Sequence, residues 1–306
     1  MIQQNKDVRI ILNPAADNGR GIMQKEPILK LAEPYGRIDF VISQSGEHAR
    51  QLAREAAASG YALVIAAGGD GAVHHVVNGI MAVPHAETMI GVIPIGSGND
   101  FAYVNDIPMN VAEATTRLFQ GKPRWLDLAK IEDGNGRFVY MDNNFGIGFD
   151  AMVVAQAEKI TRVRGFPKYI LAVFRALAFH FEPTRLQIQF DDDVVLQKAL
   201  FVYAAVGTRG GGGFLLTPDA KQDDNLVDSC LAHDISRRIL ISLFGKAVKG
   251  THIHSEHCVM RQNRQITIQI KDPAPMYVDG EMFAYPEDFI RQITLTSVPK
   301  AIQLLA

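Results

Sequence analysis

Apolar positions in the first part of the chain switch between two periods. Continuous runs at 8–13, 38–43, 62–67 and 89–95 read as short strands buried on both faces, as in a parallel sheet. Between them the spacing turns helical: Ile22, Ile28, Leu29 and Leu31; then Ala49, Leu52, Ala53, Ala56 and Ala57 between Ser45 and Gly60; then Val73, Val76, Val77 and Ile80. Asn110 starts a further helix, with Glu113 placed to reach back to it, and Gly121 ends it. Strand alternating with helix predicts a doubly wound, Rossmann-like α/β domain.

The pattern changes after that helix. Strands are expected at 125–131, 138–145, 186–190, 194–206, 226–234, 258–260, 266–270, 276–278 and 290–298. Asp133-Gly134, Asp191-Asp192-Asp193, Gln262-Asn263 and Asp279-Gly280 read as hairpin turns, and helices fall near 150–160, 166–181 and 236–249. This half reads as a C-terminal β-sandwich domain. The boundary is placed near Lys130, giving domains at 1–130 and 131–294, with 295–306 a candidate to rejoin the first.

Three loops of the first domain carry more than turn chemistry. The first strand yields to Asn13-Pro14-Ala15-Ala16-Asp17-Asn18-Gly19-Arg20-Gly21, the third to Gly68-Gly69-Asp70-Gly71, and the fourth to Gly96-Ser97-Gly98-Asn99-Asp100-Phe101-Ala102. Glycines at a strand's carboxyl end let backbone approach a ligand, and the following helix offers unpaired N–H groups to an anion. A carboxylate such as Asp70 beside phosphate is repulsive unless a divalent cation lies between them. The 68–71 stretch therefore asks for a nucleotide with Mg²⁺. One such loop alone is most simply a tight connection; three on one sheet edge, where open α/β sheets bind ligands, change the balance.

Composition narrows the setting. At 306 residues the chain exceeds the usual single core, and 47% hydrophobic with 21% charged residues describes an ordinary globular protein. A net charge of −2 gives no case for nucleic acid. The absence of a Lys/Arg run predicts weak, mildly salt-sensitive binding to bare vesicles. Cys230 and Cys258 are too few for a disulfide framework, which favours a reducing compartment. The polar stretch 1–7 shows no signal peptide, and no apolar run reaches the ~18 residues of a transmembrane helix. The expectation is a cytoplasmic protein without a membrane anchor that touches membranes only peripherally; a homodimer is left open.

The motif order Asn13-Pro14…Gly19…Gly21, Gly68-Gly69-Asp70-Gly71, Gly96-Ser97-Gly98-Asn99-Asp100-Phe101-Ala102, Asp223-Asp224 and Asp279-Gly280-Glu281 resembles the diacylglycerol kinase catalytic family, specifically its soluble bacterial lipid kinases, over nearly the whole chain. NAD kinase and phosphofructokinase share the first glycine–aspartate element but lack the Asn-Asp-Phe-Ala block. The resemblance implies a two-domain kinase with its active site between the domains, using ATP and Mg²⁺ to phosphorylate a lipid hydroxyl at the membrane surface. It assigns nucleotide binding to Asn13, Ser43, Gly68, Gly69, Asp70, Gly71, Ser97 and Asn99. It assigns metal binding to Asp224 with the carbonyls of Lys221 and Leu226, joined by Asp100 and Asp127. Glu281 becomes the general base, with Asp70 beside it in the catalytic set. Departures from the family pattern are Ala72 for a usual Thr, Asn225 for a usual Gly, Ser97 for Thr and Thr208 for a common Asn.

Other readings stand beside this one. His252, His254, Glu256 and His257 superficially resemble a zinc motif, but no histidine follows to complete it, so a polar connection is preferred. Adjacent His74 and His75 point about 100° apart on a helix and cannot both face a ligand. The apolar helix 166–181 is read as packed on the β domain, with a lipid-facing role as the sharper alternative. Two further functions are carried: a kinase of a soluble acceptor such as NAD, and a nucleotide-binding regulator without turnover, prompted by Ala72.

Overall fold

The computed structural model describes residues 8–163 and 165–306; the polar stretch 1–7 lies outside them. The chain divides into two compact units, one running up to Leu126 and including Lys300–Ala306, the other Asp127–Pro299.

The first unit alternates as the periodicity requires: β1 (Val8–Leu12), a broken turn α1 (Ala16–Gly19), α2 (Lys25–Ala32), β2 (Ile38–Ile42), α3 (Gly46–Ala58), β3 (Leu63–Gly68), α4 (Asp70–Met81), β4 (Met89–Pro94), α5 (Asp100–Val104) and α6 (Val111–Gln120). The strands are parallel in the order β2-β1-β3-β4, with Val8 opposite both Ile38 and Leu63, and Leu63 opposite Met89. Every residue of β3 is buried, which explains its uninterrupted apolar run. Helices cover both faces. Ile28 and Ala32 of α2 and Leu118 and Phe119 of α6 bury Ile10, Leu12, Leu63 and Ile65 on one side. On the other, α3 and α4 pack so closely that a Cβ at Gly79 would strike the Arg50 carbonyl oxygen. Ser45 and Asn110 cap α3 and α6, accepting from the N–H groups of His48 and Glu113, each at 3.1 Å. The helix expected from Ile22 opens as a 3-10 turn, Gly21–Gln24. Pro27 is tolerated only in the first turn of an α-helix, and α2 starts at Lys25 accordingly.

The second unit is built on β5 (Pro123–Asp133), β6 (Phe138–Met141), β7 (Asn144–Gly148), α7 (Phe149–Glu158), α8 (Gly165–Phe179), β8 (Thr184–Gln189), β9 (Val194–Ala205), β10 (Val227–His233), α9 (Arg237–Ala247), β11 (Cys258–Asn263), β12 (Gln265–Ile270), β13 (Met276–Val278), β14 (Glu281–Ala284) and β15 (Gln292–Leu305). The last strand pairs with β12 at its start; its end, from Lys300, belongs to the first unit, where Leu304 pairs with Ile90 of β4. The first half of β9 hairpins with β8, and its second half lies between β7 and β10. Alternate residues of β9 serve two cores. Val202 and Ala204 join an all-β core with Phe145, Ile188, Ile268 and Leu295, while Tyr203 and Ala205 face α7, α8 and α9. The result is a sandwich-like β domain with a helical layer on one side.

Three expectations are corrected here. The single strand 138–145 is two, β6 and β7, because the consecutive N–H groups of Asp142, Asn143 and Asn144 all donate to the Asp279 carboxylate at 2.8–3.0 Å and leave the ladder. Gln262-Asn263 is not a hairpin: β11 continues through it and pairs with β10, whereas β12 pairs with β8 and β15. The chain turns instead at Arg264, where the N–H groups of Arg264 and Gln265 donate to the Asp191 carboxylate. The strand expected over 290–298 runs on to Leu305. Among the described residues no helix is long and apolar enough to cross a membrane.

Candidate functional site

In the first unit the loops singled out in the sequence lie at the carboxyl edge of the parallel sheet. Asn13 follows β1; its side chain accepts from the Ala15 N–H at 3.0 Å and its own N–H donates to the Ala67 carbonyl at 2.9 Å, tying this loop to the end of β3. Asp17 and Asn18 both take left-handed backbone angles, so the loop reverses before α2. Ser43 is buried, and its hydroxyl donates to the Leu12 carbonyl at 3.2 Å.

The glycines after β3 and β4 bring two loops into backbone contact. A Cβ on Gly69 would stand 3.0 Å from the Cα of Gly96, and a Cβ on Gly96 would strike Gly69 in turn. A Cβ on Gly68 would meet that of Ala72 at 2.5 Å. Only glycine permits this approach. Asp70 opens α4 and reaches across to the next loop, where its Oδ1 accepts from the Phe101 N–H at 3.1 Å at the start of α5. Burial pushes the Asp70 carboxylate up, while N–H groups of Phe101, Asp100 and Asn99 pull it down. Asn99 stands in the left-handed region at φ 52°, donates to the Gly96 carbonyl at 2.8 Å, and keeps its Oδ1 buried without a hydrogen-bond partner. Ser97 is exposed and Asp100 buried. Helix α4 begins at Gly69 with no side-chain cap, so its first N–H groups and dipole face an edge from which side chains are excluded. That cradle suits an anion such as a nucleotide phosphate.

In the second unit, acidic groups gather around the segment before β10. Asp127 is buried, donates its N–H to the Gln222 carbonyl at 2.7 Å and accepts from the Asn225 N–H at 2.6 Å. Asn225 takes φ 61°, the left-handed turn usually given to glycine, and its side chain accepts from the Ser297 hydroxyl at 3.1 Å. Asp224 accepts from the Leu226 N–H at 3.0 Å; Lys221 is exposed beside it. Sequence reading missed Asp228, which it placed within a strand. One of its oxygens accepts from Gln262 at 3.0 Å, and the other is buried with no hydrogen-bond partner. Burial, followed by the charges of Asp224 and Asp219, raises its pKa to about 6 against the pull of the Gln262 bond and Lys221. An unpartnered buried oxygen among carboxylates and carbonyls is a hard-oxygen donor set, and it fits a Mg²⁺-like cation.

Glu281 is the exposed first residue of β14, after the turn at Asp279 and Gly280 (φ 50° and 83°). The Glu158 carboxyl at the end of α7 is raised first by burial and then by the charge of Glu281. Two features here escaped the sequence. Asp279, read as a turn residue, holds the β6–β7 connection through three N–H groups. Tyr277 donates to Asp150 at 2.8 Å, and burial raises the Asp150 pKa to about 7 although this bond opposes it. Neither pair has a spacing that could have announced it, since the partners lie more than a hundred residues apart. Of the zinc-like motif, His252 is buried with Nε2 3.1 Å from the Leu216 carbonyl, while His254, Glu256 and His257 line an open cavity of about 500 Å³ beside α9.

Residues 7–131 match the family model described as the diacylglycerol kinase catalytic domain, and residues 143–306 match the YegS C-terminal NAD kinase beta sandwich-like domain. The chain is 29% identical over 304 residues to a diacylglycerol kinase of Mycobacterium tuberculosis, covering 97% of this chain and 94% of that protein. It is 28% identical over 286 residues to a diacylglycerol kinase of Bacillus subtilis, covering 90% of each. A crystal structure of a Bacillus anthracis diacylglycerol kinase has the same fold, with a TM-score of 0.73 at 20% identity over 100% of this chain and 98% of that one.

Proposed function

Since the chain belongs to the kinase family that joins a diacylglycerol kinase catalytic domain to a YegS-type β-sandwich-like domain, we propose that it is an ATP- and Mg²⁺-dependent lipid kinase whose acceptor is the hydroxyl of diacylglycerol or a related membrane lipid. The observation that carries this reading is the Gly69–Gly96 contact: two loops at one sheet edge, stripped of side chains and locked by Asp70, beside an uncapped helix start. Asn13, Gly68, Gly69, Gly71, Ser97 and Asn99 supply a backbone-lined cradle for nucleotide phosphates, with the exposed Ser97 hydroxyl as an added donor. Ser43 supports the cradle from beneath, because its hydroxyl is already bonded to β1.

Phosphoryl transfer depends mostly on positioning and charge neutralisation. Mg²⁺, when bound, would supply the neutralising charge, and Asp224, the carbonyls of Lys221 and Leu226, and Asp127 would hold it. Asp70 fixes the geometry of both phosphate loops. Glu281, exposed at the start of β14, takes the acceptor hydroxyl's proton as the new P–O bond forms and the γ-phosphorus–oxygen bond to the departing ADP breaks. The protein works in the cytoplasm and meets its acceptor peripherally at the membrane.

Incubating the purified protein with γ-labelled ATP, Mg²⁺ and a total lipid extract tests this directly. One labelled lipid, absent without Mg²⁺, is the expected result. Label in NAD and in no lipid would move the protein to a soluble acceptor, and ATP binding without label would make it a regulator.

A further inference from the structure

Cys230 and Cys258 are the only two cysteines of the chain, and the fold of the second unit brings them together. Strands β10 and β11 pair antiparallel with Cys230 opposite Met260 and Ala232 opposite Cys258, so the two thiols stand diagonally across one ladder. Residues two apart along a strand share a face, and all four of these side chains turn to the core shared with α7, α8 and α9. Cys230 is fully buried there and Cys258 half-buried, and neither is in a disulfide. Their sulfurs lie within hydrogen-bonding reach of each other. Packing asks only for a small apolar side chain at each position and gives no reason for two sulfurs to meet.

The pair is unequal. The Cys230 S–H donates to the Cys258 sulfur, and this bond, joined by the Lys246 ammonium, holds the Cys258 thiol below its ordinary range although burial opposes it. The same bond, followed by burial, pushes the Cys230 thiol well above that range. Cys258 is also the sulfur nearer to solvent. It directly follows His257, which with His254, Ser242 and Lys246 lines the open cavity beside α9. A small oxidant arriving there meets the more readily ionised sulfur first and the buried one second. Diagonal neighbours on an antiparallel pair stand about 7–8 Å apart, at the limit of about 7 Å between Cα atoms that a disulfide spans without backbone movement. Among the described residues β11 pairs only with β10, so it can be drawn inward without breaking a second ladder. A bond closed in this way is easily reduced again, which suits a transient disulfide rather than a structural one.

We propose that Cys258 is a peroxide-reactive site and that Cys230 resolves it to a reversible disulfide. The Cys258 thiolate attacks one oxygen of hydrogen peroxide, the O–O bond breaks, and the released hydroxide takes a proton and leaves as water, so that Cys258 becomes a sulfenic acid. The Cys230 sulfur then attacks the sulfenic sulfur, the S–O bond breaks, and the hydroxyl leaves with the Cys230 proton as a second water. Two thiols thus lose two hydrogens with their electrons, and one peroxide is reduced to two waters. The test is treatment of the full chain with hydrogen peroxide, followed by alkylation, intact mass and peptide mapping. Wild type should lose the mass of two hydrogens, yield a linked Cys230–Cys258 peptide pair, run as a single chain on a non-reducing gel, and regain both thiols with dithiothreitol. With dimedone present, Cys230→Ala should carry the adduct on Cys258, and Cys258→Ala should carry none. The wild-type mass shift needs neither variant, so it decides the matter even where a variant fails to fold. Two thiols still open to alkylation after peroxide, a disulfide formed only between chains, Cys258 carried on to sulfinic acid in wild type, or dimedone on Cys230 in Cys258→Ala would each overturn the assignment, whether or not the protein phosphorylates lipid.

Discussion

Asp150→Asn tests the electrostatics of the second unit. The wild-type carboxyl has a pKa of about 7 beneath the Tyr277 hydroxyl, against 3.8 for an ordinary aspartate. The folded state therefore keeps a proton that the unfolded state has already released between those two values. Stability must fall as pH rises through that window and level off above about 7. At about 1.4 kcal/mol per pH unit, wild type should lose about 3 kcal/mol from this site between pH 5 and pH 8. Asparagine retains an oxygen for the Tyr277 hydroxyl but cannot ionise. Urea midpoints read by circular dichroism at pH 5, 6, 7 and 8 should then show the variant gaining on wild type as pH rises, by about 3 kcal/mol across the range. The difference between the two proteins isolates Asp150 from Asp228, whose raised pKa acts in the same direction. A wild-type-minus-variant difference that stays flat with pH would refute the reasoning.

Two further outcomes follow from the sites. Asp70→Ala should lose Mg·ATP turnover and, with the bond to the Phe101 N–H, about 1 kcal/mol of stability; Asp70→Asn keeps an oxygen for that N–H and should keep its melting temperature, so turnover lost by Asn reports the carboxylate's charge and turnover kept reports the loop clasp. Asp224→Ala should lose both activity and thermal stabilisation by Mg²⁺, an effect of about 3 kcal/mol in wild type at a hundredfold excess over Kd, while Glu281→Gln should keep that stabilisation in a melting-curve comparison.

The first unit was largely legible because its physics is local. A buried parallel strand announces itself by an unbroken apolar run, and a close backbone approach by glycines at its end, so β3, Gly69 and the start of α4 fall where the residues place them. The second unit depends on pairings between distant segments. Nothing near Asp142 shows that Asp279, more than a hundred residues away, will collect three consecutive N–H groups and break a strand in two. Likewise, Gln262-Asn263 has turn chemistry, but the Asp191 carboxylate decides where the chain bends. Asp228 is hidden by its apolar neighbours, since a strand pattern does not reveal a carboxylate buried beside other acids.

The central claim is that this chain moves phosphate from ATP to a lipid hydroxyl with Glu281 as the base. The direct measurement is transfer from γ-labelled ATP to detergent-dispersed diacylglycerol by wild type and Glu281→Gln, with ATP binding measured alongside. Wild type should label the lipid only with Mg²⁺ present, and the variant should lose about two to four orders of magnitude in rate with ATP binding intact. No labelled lipid with wild type, or wild-type labelling by Glu281→Gln, would contradict it.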